Sequence, residues 1–172
     1  LRPLPSRTFP CCRTLPVKPN RLSLVTFETN RYSVPVEHTL HTLYLRAYVD
    51  KVEISDGIGL IAMHKRSYAR EQDVLDLWHY LSLLKERPGA LDHAKPFKEW
   101  SRPEAFNRYF EALRRRLPPR TATLRFLEVL ELAQSRSLSE MAAALDRALA
   151  TGSLALDTVE YFLRDAATGQ RP

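Results

Sequence analysis

Long apolar runs are missing from this chain. No window approaches the ~20 consecutive apolar residues that a membrane-spanning helix needs. Glycine is scarce, with five in 172 residues, and these form neither G-x-x-x-x-G-K-[ST] nor G-x-G-x-x-G. A phosphate-cradling nucleotide loop is therefore not expected. No G-x-S-x-G nucleophile elbow occurs either. Cysteine is limited to the neighbours Cys11 and Cys12. A disulfide between adjacent residues is strained, so a reducing cytosol fits best. The five histidines (His38, His41, His64, His79 and His93) make no H-E-x-x-H motif and no zinc spacing with cysteine. No metal site is expected from them. The opening LRPLPSRTFP lacks the apolar stretch of a signal peptide, and the chain reads as a piece of something longer.

The composition is that of a folded protein, with 44% hydrophobic and 27% charged residues. The length admits one domain or two small ones. Lysine and arginine number 26 against 20 acidic residues, a net +6. The excess is uneven: residues 1–56 carry +3, 57–100 carry +1, 101–122 carry +4 and 123–172 carry −2. A polyanion would meet the front and the central segment and avoid the tail.

Five of the twelve prolines lie in residues 1–20. This stretch reads as an extended linker or an edge-hugging segment, and it cannot be a helix. From 21 to 68 the pattern is that of short strands. LSLVTF, a turn at ETN, and RYSVPV form the first pair. In TLYLRAYV, Leu43, Leu45, Ala47 and Val49 face one side, and Tyr44, Arg46 and Tyr48 the other. KVEIS points Val52 and Ile54 inward, Asp56-Gly57 marks a hairpin turn, and GLIAMH returns. Five short strands in so few residues suggest a small antiparallel SH3-like β-barrel.

From residue 69 to 167 the period becomes helical. Val74, Leu77, Trp78, Leu81 and Leu84 form one stripe, ended by Pro88-Gly89. Pro103 opens the next helix, and Pro118-Pro119 closes it. TLRFLEVLELA (123–133) is apolar over a broad arc and is expected to be the most buried helix. Ser137-x-x-Glu140 is a capping box. A last helix carries Val159, Phe162 and Leu163, and 168–172 is expected to be a disordered tail. The fold class is α+β, a small barrel followed by a helical bundle.

Several residues invite a polyanion. Arg46 stands between Tyr44 and Tyr48 on one strand face, where a cation and aromatics can serve phosphate and base. The competing reading packs the tyrosines under the helices. Lys65, Arg66 and Arg70, beside Tyr68, leave the last strand at a strand-to-helix junction, the better phosphate candidate. In Arg114-Arg115-Arg116, Glu104 and Glu111 are spaced to pair with Arg108 and Arg115. That leaves Arg114, Arg116 and Arg120 for phosphate contact or for a solvated face. His79 is expected on the helix surface, near Asp76 and Ser82.

The residues also resemble a family. SLVTFETNRYSVPVE (23–37), LRAYVDKVEI (45–54), LIAMHKRSYAREQDVLD (60–76), HYLSLLKERPGAL (79–91) and LSEMAAALDRAL (138–149) look like the C-terminal part of IstA-type insertion-sequence transposases. The resemblance implies a parent with an RNase H-like DDE core, upstream of Leu1, that uses divalent metal to cut and join DNA. It implies that the present residues are the non-catalytic, Mu-transposase-type C-terminal barrel and helical region. Their expected roles are binding transposon-end DNA, transposase self-association in the transpososome, and engagement of the AAA+ helper ATPase IstB. The alternative is a protein-interaction module that docks that ATPase without touching DNA. No catalytic residue, metal or cofactor is expected in this chain, and the expected place is the bacterial cytoplasm, at the nucleoid. The chain departs from the family pattern at Pro19, so the first strand is expected to start after it.

Overall fold

The computed structural model describes residues 11–168, which divide into two compact units, 11–79 and 80–168. The expected start of the linker (1–10) and the tail beyond Thr168 lie outside the described residues.

Among the described residues the first unit contains seven strands: β1 (Arg13–Val17), β2 (Leu24–Phe27), β3 (Asn30–Ser33), β4 (Leu43–Ala47), β5 (Lys51–Ser55), β6 (Leu60–Lys65) and β7 (Asp73–Val74). Strands β1, β4, β5 and β6 form one antiparallel sheet in the order β1-β4-β5-β6. The other sheet runs β2-β3-β7, with β3 and β7 parallel. Val25, Phe27, Tyr32 and Val34 from the smaller sheet and its flank share one core with Leu43, Leu45, Val52, Ile54 and Ala62 from the larger. Alternation makes this possible: Leu43, Leu45 and Ala47 are buried while Tyr44 and Arg46 are exposed.

Three expectations change here. Arg13–Val17, placed in the linker, is a strand paired with β4, so the first strand precedes Pro19. Pro16 sits opposite Tyr44, and the missing N–H is tolerated because β1 is an edge strand. The turn at Asp56-Gly57 is longer than a two-residue hairpin. The Asp56 carboxylate accepts from the Ile58 and Gly59 amides (both 2.8 Å), Asp56 N–H donates to Gly59 C=O, and Gly57 takes a φ of 93°. Residues 74–84 are not one helix. They comprise β7, a 3-10 turn (Leu77–Tyr80) and α1 (Leu81–Glu86). Asp73 is drawn to Arg31 on β3, and Asp76 Oδ1 accepts from Trp78 N–H at 2.9 Å, which ends the extended stretch.

Buried polar groups clamp residues 67–79 onto β3. Asn30, 2% exposed, donates through Nδ2 to Ser67 C=O and accepts from Gln72 N–H, both at 2.9 Å. Tyr32 Oη accepts from Ser67 N–H, and Ser33 Oγ accepts from Asp76 N–H. Residues of TNRYSVP thus hold the stretch that carries RSY.

His79, expected on a surface, lies in this clamp. Its Nδ1 is 2.8 Å from Ser33 Oγ, and its ring meets that of buried His64 edge-on at 5.4 Å. His64 Nε2 donates to Ser33 C=O at 2.6 Å, which requires the Nε2–H tautomer.

The second unit adds α2 (Lys95–Glu99), α3 (Glu104–Arg116), α4 (Pro119–Gln134), α5 (Leu138–Ala150) and α6 (Leu156–Thr168). Its core stacks Phe110 on Phe126 at 4.2 Å, with Phe97 edge-on to both. α4 buries Ala122, Thr123, Phe126, Leu127, Val129, Leu130 and Ala133, the broad apolar arc expected of it. The Ser137/Glu140 capping box is formed in full. Tyr109 donates to Leu154 C=O at 3.0 Å, and burial pushes its phenol up to about 12.

Candidate nucleic-acid interface

The outer face of the four-stranded sheet is a grid set by strand register. One row runs Thr14–Arg46–Glu53–Met63 across β1, β4, β5 and β6. The next runs Pro16–Tyr44–Ser55–Leu60. A third brings Lys51 opposite Lys65, with Tyr48 alongside, since Lys51 Nζ lies 5.1 Å from the centre of the Tyr48 ring.

Tyr44 and Arg46 are therefore exposed on the sheet's outer face, and Tyr48 stands partly exposed beside them. The Tyr44 ring passes beside Gly57, where a Cβ would lie 3.5 Å from Cε2.

The electrostatics centre on Glu53. Lys51 Nζ reaches its carboxylate at 2.7 Å. That bond, helped by the Tyr48 hydroxyl and the charge of Arg46, holds Glu53 below the usual carboxylate range. The same bond raises Lys51, while partial desolvation and then Glu53 raise Tyr48. The face thus carries three cations, Arg46, Lys51 and Lys65, against one carboxylate, Glu53, which is paired with Lys51.

The remaining candidates separate from this grid. Arg66, foreseen as a phosphate contact, is built into the fold. Its guanidinium donates to Tyr48 C=O at 2.8 Å and to Glu28 at 3.1 Å. It also lies over the rings of Phe27 and Tyr68 at 5.2 and 4.7 Å. Only 16% of its side chain is exposed. Arg70 is exposed on the clamped loop, and Lys65 on the outer face of β6.

In the second unit, Arg114 pairs with Asp92 and stacks over Phe110 at 4.0 Å. Arg116 donates to Gly152 C=O at 2.7 Å. Neither is left over as the helical spacing suggested. Arg108 also takes a different partner, Asp146 at 2.7 Å, while Glu104 accepts from Asn107. Arg115–Glu111 forms as expected, at 3.7 Å. Arg120 is exposed in the first turn of α4.

Lys51, Glu53, Leu60 and Met63 were absent from the sequence-derived set. The alternation of KVEIS already placed Lys51 and Glu53 outward, but only register shows them beside Arg46 and Lys65. Among the described residues, no group of three or more His, Cys, Asp or Glu could hold a metal ion. No described helix is long and apolar enough to cross a membrane.

Residues 4–76, which include the whole grid, match the family described as Mu transposase, C-terminal domain. The similarity is to transposases. One from Aminobacter aminovorans is 30% identical over 134 residues, covering 75% of this chain and 25% of the relative. The transposase for insertion sequences IS1326/IS1353 of Pseudomonas aeruginosa is 39% identical over 90 residues, covering 49% of this chain and 17% of the relative. Its namesake in Shigella flexneri gives the same figures. The chain thus spans a quarter or less of the length of these relatives. No solved structure matches it. These similarities support a transposase fragment.

Proposed function

We propose that the outer sheet face of the first unit binds DNA as a non-catalytic part of a transposase, at transposon ends and within the assembling transpososome. The observation that carries this reading is the grid of Arg46, Lys51 and Lys65 interleaved with Tyr44 and Tyr48. Cations fix a phosphate backbone and aromatics accept bases or sugars, in a mode that needs no recognition helix. The parent is read as an IstA-type DDE enzyme of the bacterial nucleoid. Its divalent metal belongs to the catalytic core and not to residues of this chain.

The test is salt dependence. Each phosphate neutralised on duplex DNA adds ~0.9 to the slope of log affinity against log salt. Replacing Arg46, Lys51 and Lys65 together by alanine should weaken binding across sequences and lower the slope by roughly 2. A folded triple variant with an unchanged slope overturns the assignment.

A second reading applies to the helical unit. Four of its arginines are engaged internally: Arg108 with Asp146, Arg114 with Asp92, Arg116 with Gly152 C=O and Arg147 with Asp165. These pairings, with the net −2 of residues 123–172, favour protein contacts, with a helper ATPase of the IstB type or another transposase subunit as partner. Pull-down of the IstB-type protein with the full chain, and with a variant altered at exposed Leu83 and Tyr161, tests this. Equal retention counts against these two side chains as docking contacts.

A further inference from the structure

Three features of the grid bear on the form of DNA it takes. The first is spacing. Tyr44 and Arg46 are alternate residues of β4, and Tyr48 follows two residues on, just past the end of the strand. Alternate strand residues repeat every ~6.8 Å, twice the ~3.4 Å rise per residue. Bases in a duplex strand repeat every ~3.4 Å, half that distance. At that spacing each base face in a duplex is covered by its neighbour, so only an extended, unstacked strand, whose repeat can reach ~6.8 Å, can lay bases on the tyrosine rings.

The second feature is chemical. Two strands across from Tyr44 and Arg46, beyond Ser55 and Glu53 in the same rows, stand Leu60 and Met63, 59% and 58% exposed, with Ile58 in the adjoining turn 98% exposed. Apolar side chains make poor neighbours for the phosphates that line the outside of a duplex. They suit the faces of unpaired bases. The third feature is the position of the charge. Lys51 and Lys65 lie opposite one another at one end of the grid, beside Tyr48, where they can follow a backbone while bases lie toward Leu60 and Met63.

Resting on the DNA-binding reading above, we propose that this face takes an unpaired DNA strand, stacking bases on Tyr44 and Tyr48 with Arg46 between them. Base–aromatic stacking tolerates any sequence, because every base has a π-face. The face is therefore a sequence-neutral site for a splayed or frayed strand.

The experiment uses the full chain and a labelled oligonucleotide of about 16 nucleotides, the upper range for one small barrel, as a single strand and as a duplex of the same sequence. Fluorescence anisotropy at fixed salt reads the affinity. The single strand should bind ~10-fold or more tightly than the duplex, and each Tyr→Ala change should cost single-strand binding ~10-fold. Tyr44→Phe and Tyr48→Phe keep the ring and should retain binding. Tyr44→Leu and Tyr48→Leu keep apolar bulk and should lose it, which separates stacking from loss of folding. Duplex binding equal to or tighter than single-strand binding, or Leu variants that bind as well as the Phe variants, overturns the stacking platform and leaves the DNA reading intact. Binding to neither form overturns both.

Discussion

Arg66 shows how one residue changes meaning with its surroundings. In the sequence it is a basic side chain at the end of a strand. In the fold it is a strut between the Glu28 turn, the Tyr48 carbonyl and two aromatic rings. Glu28 holds a left-handed φ of 55°, which a non-glycine residue adopts at a cost, and its carboxylate is anchored by Arg66. Arg66→Ala should therefore destabilise the first unit by about 2 kcal/mol, summing a charge-assisted hydrogen bond and partly buried cation–π contacts. Chemical denaturation checks this; a variant with wild-type stability but weaker DNA binding would return Arg66 to the interface. The histidine pair makes a second prediction at this scale. Burial lowers both rings, His79 from 6.5 to about 4, with Asp76 and Glu37 opposing the shift in His79 and His64 adding to it. The unfolded chain thus binds protons that the folded chain refuses. This contribution to stability is whole above pH ~6.5 and is lost as pH falls toward ~4, by on the order of 3 kcal/mol. Melting temperature against pH should decline across that window, and less steeply in His79→Gln.

At the scale of elements, caps and clamps decide where the chain turns. Ser137 accepts from Glu140 N–H while Glu140 accepts from Ser137 N–H, both at 3.2 Å, and these bonds hold Glu140 below the usual carboxylate range. Ser137→Ala should cost about 1 kcal/mol, read by thermal unfolding, because the Glu140 N–H in the first turn of α5 loses its side-chain acceptor. Asn30 works across a longer distance. It satisfies a carbonyl and an amide of the 67–72 stretch from within the core. Asn30→Ala leaves both backbone groups without that partner, and a loss of about 2–4 kcal/mol should follow. Hydrogen exchange should show the Gln72 amide losing protection first. Unchanged protection there would mean that β7 alone holds the loop.

At the scale of the whole molecule, the charge map and the partner map differ. The steepest basic segment of the sequence, 101–122, carries +4, yet two of its arginines are engaged with Asp92 and a backbone carbonyl. Arg114→Gln with Arg116→Gln should leave the salt slope of DNA binding within ~0.5 of wild type, while the sheet-face variant lowers it by roughly 2. Measuring both variants across the same salt series compares the two units directly. A larger drop from the α3 pair would move the DNA site to the helices.

Period and punctuation alone determined much of this protein. Strict alternation in TLYLRAYV placed Tyr44 and Arg46 on one outer face, prolines bounded α3, and Ser137 with Glu140 began α5, because each signal acts within a few residues. Tertiary structure decided the rest, for reasons that local pattern does not carry. Arg13–Val17 became a strand because an edge position excuses Pro16. Residues 73–80 left the helical period because β3 and the Asn30–Ser33 clamp offered partners far away in sequence. Arg108 chose Asp146 over Glu104 because a neighbouring helix brought a carboxylate within reach. The face itself, with Lys51 opposite Lys65 and Met63 in the row of Arg46, exists only through cross-strand register, which pairs residues by topology and not by their distance along the chain.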